Sequence, residues 1–391
     1  MALHALRWAL LLIPLAPYAY YLLAIYCALD YFRETRRRKF EHSEFKPPAS
    51  ILKPVRGPDR DAYANFASFC RQDYPQYEVL FAVADAGDPA IPLIHQLQHD
   101  FPNVEIRLVT EIEQLGANRK LNNLVKLAKE AKYDLLVIND SDVRAMPNYL
   151  SEVAAHFADA NTGAVTAFFT GVAPESLGAK LEALVLSTET APNALVARKI
   201  EGKVQFAFGW TMATTKEHLR SIGGFESMVN YHSDDFELGN RIAARGLNIE
   251  LLPAPVEMIF PRESFGEFLR HDLRWAIGLR NVRPAGYVGL LFTFGLPWTI
   301  AAAIATASAS WAVGYILLYL ILRLAQVWIT GVWGLRDVVT RKYWWITPFR
   351  DAINFLVWIA GFFTSTIVWR GIRYRVKKGL LIPVANSSPH S

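Results

Sequence analysis

Apolar residues collect at the two ends of this chain, and between them short apolar runs alternate with amphipathic stretches. Residues 5–29 are almost wholly apolar, interrupted by Arg7 and two prolines. A run of that length can cross a bilayer as a helix. It leads into Arg33, Arg36, Arg37, Arg38 and Lys39 rather than into a small-residue leader-cleavage site. Basic residues following a span mark the cytoplasmic side. The pattern therefore predicts an N-terminus outside the cell and the next domain inside it.

Residues 43–48 read as a linker. Beyond them, runs rich in β-branched residues at 50–55, 78–84, 104–109, 134–139 and 164–169 alternate with helical patterns near 62–72, 90–100, 119–131 and 147–158. That alternation predicts an α/β domain, Rossmann-like, with a mainly parallel sheet and helices on both faces. No GxGxxG follows the first strand, which argues against a dinucleotide site. Residues 265–283 mix apolar positions with Arg270, His271, Arg274, Arg280 and Arg283, the pattern of an amphipathic helix at a membrane surface. Segments 286–306, 311–335 and 344–369 are each apolar enough to span.

Three such spans would put Arg370, Arg373, Arg375, Lys377 and Lys378 outside, against the positive-inside rule. One segment is therefore expected to be re-entrant or interfacial. The expected division is a transmembrane anchor at 1–32, a basic juxtamembrane linker at 33–48 and a cytoplasmic catalytic domain at 49–263. An interfacial helix at 264–284, membrane helices at 285–370 and a basic tail at 371–391 complete it. An integral membrane protein results, in the inner membrane if the source is bacterial.

Composition sharpens this picture in three places. The 391 residues include 52% hydrophobic and 20% charged positions. That is too apolar for an ordinary soluble enzyme and too charged for a chain embedded throughout. The two cysteines, Cys27 and Cys70, exclude a disulfide framework and a Cys-rich metal site. The net charge of +5 is small, and no nucleic-acid motif accompanies it. A transporter would need ionisable groups along a membrane pathway. Arg323 is the main candidate within a span, and packing against protein or water explains it better.

Ligands of open α/β sheets bind beyond the carboxyl ends of the strands, where candidate carboxylates fall. Asp85 ends the second predicted strand, where a turn aspartate is an equal alternative. Asn139-Asp140-Ser141-Asp142 follows the most apolar strand. Two carboxylates two residues apart on a turn suit a hard cation, Mg²⁺ or Mn²⁺, with room left for phosphate oxygens. Asp234-Asp235 precedes a helical stretch. One of them, Asp234 first, fits an N-cap role, and the other could face the cleft as a base. Lys120 opens a helix where an anion is favoured, or is simply solvated. Arg274-Trp275 lies on the surface helix, where snorkelling and an aromatic belt are the structural alternatives.

Together these residues resemble the family-2-like, GT-A-fold glycosyltransferases, and most closely the ceramide glucosyltransferase family with its bacterial hopanoid-associated relatives. The resemblance rests on Ser50-Ile51-Leu52-Lys53-Pro54, Gln72-Asp73-Tyr74-Pro75, Tyr77-Glu78-Val79-Leu80, Asp85 with Asp88-Pro89-Ala90, and Pro102-Asn103-Val104. It continues through Asn122-Asn123-Leu124, Asp140-Ser141, Asp234-Asp235, Arg274-Trp275, and Trp369-Arg370 with Arg373-Tyr374. It implies a UDP-sugar donor, with UDP-glucose first, a membrane-lipid acceptor such as ceramide, a divalent metal and inverting transfer. It assigns Asp235 as the base, Asp140 and Asp142 as metal ligands, and Asp85, Asp140, Arg274 and Trp275 to the nucleotide sugar, with Lys120, read from its place at a helix start, added as a nucleotide-sugar contact. Asp234 and His271 are candidate acceptor or interface contacts. His271 stands where the family motif has Arg or Gln. Transfer of N-acetylglucosamine to a hopanoid, or an inactive membrane-anchored binding protein, are the alternatives.

Overall fold

The structure is a computed structural model that describes residues 1–37, 44–173 and 176–384. Arg38 and Lys39 of the basic cluster, the start of the linker and the last seven residues of the tail lie outside the described residues. The chain divides into two units. One comprises Met1–Arg37, Ala173–Ile200 and Arg262–Ile367; the other comprises Arg38–Val172, Glu201–Pro261 and Val368–Ser391.

The second unit is built on β1 (Ala49–Val55), β2 (Tyr77–Val83), β3 (Glu105–Val109), β4 (Leu135–Ile138), β5 (Val143–Arg144), β6 (Thr162–Val172), β7 (Met212–Thr215) and β8 (Asn248–Ile259). They form one sheet in the order β3-β2-β1-β4-β7-β6-β8-β5. β1 runs parallel to β2 and β4, β2 to β3, and β6 to β8. β7 is antiparallel to both β4 and β6, and β5 to β8. β1 and β4 are buried along their whole length, as strands covered on both faces must be; β4 reads as an unbroken apolar run, whereas β1 buries Ser50 and Lys53 on hydrogen-bond partners. The order reverses direction between β1 and β4, the switch point beyond which ligands bind in such sheets. Asp85 follows β2 there, and Asp140 and Asp142 follow β4.

Helices Ala62–Cys70, Ile91–Asp100, Arg119–Glu130 and Tyr149–Ala155 join the strands, close to their expected places. The segment 173–200 departs from expectation. It falls inside the stretch read as catalytic domain, yet it groups with the helical unit. It forms helices Leu177–Val185 and Ala191–Glu201, joined by the π-helical turn Leu186–Thr190. Leu181, Leu184 and Val185 are buried, and the Thr188 carbonyl accepts a 2.9 Å hydrogen bond from Arg323 of the same unit.

The helical unit holds two helical stretches long and apolar enough to cross a membrane, Leu3–Arg37 and Ala309–Gly334. Pro284–Phe292 and Gly295–Ala305 together form a third, bent by 41°. The expected span at 344–369 is corrected. Its helix, Thr347–Phe363, has 17 residues and stops before Thr364. Residues Thr366–Trp369 are a strand, β9. It joins β10 (Ile372–Lys377) and β11 (Leu380–Pro383) in a small sheet, so 371–391 is not simply a basic tail. Alternation in Ile372-Arg373-Tyr374-Arg375-Val376-Lys377 buries Tyr374 and Val376 while the charged residues face out. The Leu381 N–H bonds to the Asn230 carbonyl at 2.8 Å, and the His232 N–H to the Gly379 carbonyl at 2.8 Å. The tail therefore belongs to the catalytic unit. Its arginines lie with that unit and not beyond a further span at 344–369.

Arg323 is buried but not alone. Asp351 accepts from two of its three guanidinium nitrogens, at 2.6 and 2.9 Å, and also from the Tyr319 hydroxyl at 2.7 Å. Arg350 and Asp272 form a second buried pair, with contacts at 2.6 and 2.9 Å.

Candidate active site

The 139–142 turn is fixed from beneath. The buried Asn139 amide donates to the Trp210 carbonyl at 2.8 Å and to the Tyr149 hydroxyl at 3.0 Å. This ties the end of β4 to the loop before β7. Lys53, in the middle of β1, is fully buried over the Phe69 ring and donates to the Asp140 carbonyl at 2.6 Å. Burial pushes its ammonium down to about 7, against the pull of Asp140, Asp142 and Asp59.

Across the cleft, Asn118 caps the Arg119–Glu130 helix and also donates to the Tyr231 carbonyl at 2.8 Å. The Ala117 N–H reaches the Asn230 side chain at 3.0 Å. These bonds lock the 229–231 loop onto the start of the helix. Lys120 consequently meets the Asp234–Ala244 helix. Its Nζ lies 2.8 Å from Asp140 Oδ1 and 2.9 Å from Asp234 Oδ2. Burial disfavours the Lys120 charge, but the two carboxylates more than offset this and raise its pKa. The reading of Lys120 as a simply solvated lysine is therefore set aside.

Asp235 sits beside this bridge. One carboxylate oxygen accepts the Gly209 N–H at 3.0 Å and the other its neighbour's, Phe236, at 2.7 Å. Gly239 makes the first contact accessible. A Cβ there would stand 2.4 Å from the Phe206 carbonyl carbon, so only glycine lets the helix approach the 206–209 segment this closely. Burial, then the neighbouring Asp234 charge, push the Asp235 carboxyl up to about 6, while Lys120 and the two N–H groups pull down.

Asp140 and Asp142 fit a divalent cation by their donors. Both offer hard oxygen. Asp142 Oδ1 is buried with no hydrogen-bond partner. Burial, Asp140 and Asp59 push its carboxyl up to about 7. A buried carboxylate with an unpartnered oxygen is what a bound cation would relieve. Asp85 stands apart from this cluster. It is exposed at the end of β2, and its own turn's Gly87 N–H binds it at 2.9 Å.

His271, Arg274 and Trp275 belong to the helical unit, on the helix Phe265–Val282, which opens with a capping box of Ser264 and Glu267. His271 Nε2 accepts from Arg274, and Nδ1 faces Glu182. Arginine can only donate, so Nδ1 carries the proton directed at Glu182. The His271 and Trp275 rings lie 5.2 Å apart. His271 thus supports Arg274 from one side and binds the buried Glu182 on the other. Glu182, Glu263 and His271 bring ligand atoms within 4.8 Å of one another, a second donor set able to hold a cation. Burial pushes Glu182 up to about 7; burial and Glu182 together push Glu263 to about 9.

Sequence reading missed Lys53, Gly209, Glu182 and Glu263 as participants. The pairing of a capping box with an apolar helix was present at Ser264. For the others no local signal distinguishes them, because their partners lie far away in the chain.

The chain combines an α/β domain carrying a carboxylate cluster at its switch point with a helical unit holding helices long and apolar enough to cross a membrane. The model of glycosyl transferase family 21 matches residues 4–382, and the chain belongs to that family. It is similar to ceramide glucosyltransferase 1 of Caenorhabditis elegans, 24% identical over 361 residues that cover 90% of this chain and 76% of the relative. It is 34% identical over 123 residues to the ceramide glucosyltransferase of Candida albicans, covering 28% of this chain and 22% of the relative. Among solved structures it is similar to a mannosyltransferase from Pyrobaculum calidifontis in complex with GDP-Man and Mn²⁺. There the TM-score is 0.46 and identity 17%, covering 90% of this chain and 99% of the other. GalNAc-T7 with UDP, GalNAc and Mn²⁺ gives a TM-score of 0.39 at 10% identity, covering 60% and 51%. The mixed, mostly parallel sheet is the GT-A-like arrangement that the resemblance implied.

Proposed function

We propose that this chain transfers a hexose, glucose first, from a UDP-sugar to the hydroxyl of a membrane lipid of the ceramide class. The transfer inverts the anomeric carbon, and the catalytic unit faces the cytoplasm. The observation that carries the reading is Asp235. It is a half-buried carboxylate held by two backbone N–H groups and pushed up to about 6, beside a lysine bridging two other acids. A base tuned toward neutrality suits deprotonation of an alcohol as it attacks.

In the proposed reaction Asp235 takes the acceptor's proton as the acceptor oxygen bonds to the anomeric carbon. The bond from that carbon to the diphosphate breaks, and UDP leaves. Lys120 holds Asp140 and Asp234 in place and adds positive charge near the leaving group. Asp85 binds the nucleoside, and Arg274 and Trp275 contribute donor binding, the roles the resemblance implies. Asp140 and Asp142 would hold a divalent cation, Mg²⁺ or Mn²⁺, whose chemistry is to neutralise charge on the diphosphate. Spans of sufficient length and apolarity support a lipid acceptor that stays in the bilayer. Holding donor and acceptor together supplies much of the remaining acceleration.

The test is direct. Membranes carrying the protein are supplied with a panel of UDP-sugars, and the lipid extract is read by mass spectrometry. The expected product is a hexosylceramide made with UDP-glucose. A hexosaminyl hopanoid would replace both donor and acceptor. No glycosylated lipid from any donor would remove the proposal.

A further inference from the structure

The small C-terminal sheet carries an arginine to a place that the reaction above does not use. Arg370 and Gly371 form the turn between β9 and β10, with φ of 49° and 82°. Two-residue turns of this kind favour Asn, Asp or Gly at the first position. An arginine there occupies the left-handed region that side chains disfavour. The next turn, Lys378-Gly379, repeats this conformation at φ of 50° and 78°, so the hairpin sets the backbone, and what singles out Arg370 is where its side chain lies.

Its surroundings are specific. Arg370 Nη1 lies 3.6 Å from Asp59 Oδ1 and 3.4 Å from the Arg56 carbonyl. Asp59 in turn accepts from Ser141, the residue between Asp140 and Asp142. Arg370 is thus one side chain removed from the turn at the end of β4. Arg56 follows β1, and Arg119 opens the next helix after β3. The contact to the Arg56 carbonyl puts Arg370 and Arg56 at one edge, and burial, then the like charges of Arg119 and Arg370, lower the Arg56 guanidinium. All three are exposed to solvent.

The facing acids are few. Asp59 is shared with Ser141, and the buried Asp88 is engaged by the Gly57 N–H at 2.7 Å and the Ala90 N–H at 2.8 Å. The hairpin is held at the same edge by its bonds to Asn230 and His232, and by Tyr374, whose hydroxyl donates to the Ala117 carbonyl at 3.3 Å. A cluster of guanidiniums beyond parallel-strand ends suits a multiply charged phosphate, which arginine forks bind well.

We propose that Arg370, with Arg56 and Arg119, binds the diphosphate of the donor nucleotide, and that the C-terminal hairpin exists to deliver Arg370 to it. This rests on the donor being a nucleoside diphosphate sugar. The diphosphate sits against the tail as well as against the Asp140–Asp142 turn, so the chain's last element completes a site begun by its first strand.

The test uses the full-length protein purified in detergent, with UDP and uridine as probes and calorimetry as the readout. Arg370→Asn removes the charge while favouring the same left-handed backbone. It should weaken UDP at least about 10-fold, the scale of a lost charge-assisted bond, and leave uridine unchanged. Arg370→Lys should recover part of the loss. UDP affinity within twofold of wild type in Arg370→Asn would overturn the proposal, and so would an equal loss for uridine, which would mean a structural role. Wild-type protein that binds no UDP would overturn the donor reading and this proposal with it. Wild-type protein that binds UDP while the variants match it would overturn this proposal alone.

Discussion

Each unit contains buried charge, and the two arrangements differ in balance. In the helical unit Arg323 faces Asp351 bidentately, and Arg350 faces Asp272. Most contacts are short and one charge answers another. In the catalytic unit a single Lys120 answers Asp140 and Asp234, with Asp235 beside them and Asp142 carrying an unpartnered oxygen. The two arginine–aspartate pairs hold helices together, although the same unit also carries the acids Glu182 and Glu263 beside His271. The catalytic cluster is short of positive charge and open to something that brings it. Buried ion pairs alone do not mark an active site; an imbalance at the ends of parallel strands does so better.

The largest expected effect separates chemistry from fold. Asp235→Asn should reduce transfer by about 10²–10⁴-fold, the scale of a positioned base, with UDP binding and melting temperature near wild type. Turnover close to wild type in membranes carrying this variant would remove Asp235 as the base. Asp351→Ala probes the other unit. Leaving Arg323 buried without its partner should cost about 3–5 kcal/mol, read as an earlier melting transition in detergent. A variant as stable as wild type would show that the pair is dispensable.

Smaller effects concern the open cluster. Asp142→Ala should weaken the dependence on added Mg²⁺ or Mn²⁺ and lower activity, whereas wild-type transfer should stop with EDTA. Activity indifferent to EDTA would end the metal assignment. The gentlest test is pH. Asp235 must be ionised to act, and its pKa is raised to about 6. Transfer should therefore be full well above pH 6 and fall about tenfold per unit below it, whereas an ordinary aspartate would hold its rate to about pH 4. Because the folded pKa is raised above the unfolded one, ionising Asp235 costs stability as pH rises through about 6, so protonating Asp235 does not itself destabilise the fold on the acid limb. A rate level from pH 7 to pH 5 would contradict this.

Much of the catalytic unit was legible in the chain. The run 135–138 is a strand because a sheet covered on both faces favours apolar residues, while 50–55 is one although it buries Ser50 and Lys53 on hydrogen bonds. Asp140 and Asp142 could be found because a strand end followed by two acids is a local pattern. The segment 344–369 misled because hydropathy counts apolar residues without registering where the helix stops. The 173–200 helices were hidden for a similar reason. Leu181 and Leu184 look like soluble-domain core residues, and only their packing assigns them to the helical unit.

By itself the sequence determined the strand–helix alternation, the strand-end acids, the apolar ends and the family motifs, because each is written within a few neighbouring residues. Tertiary structure alone decided that Lys120 bridges Asp140 and Asp234, that Gly209 holds Asp235, that His271 supports Arg274, and that the tail returns to the catalytic unit. The long-range contacts among them join residues far apart in the chain. His271 and Arg274 are near neighbours, but the role of His271 depends on Glu182, which only the fold brings to it. Their identity depends on which surfaces pack, and that is set by the burial of the whole chain rather than by any local stretch.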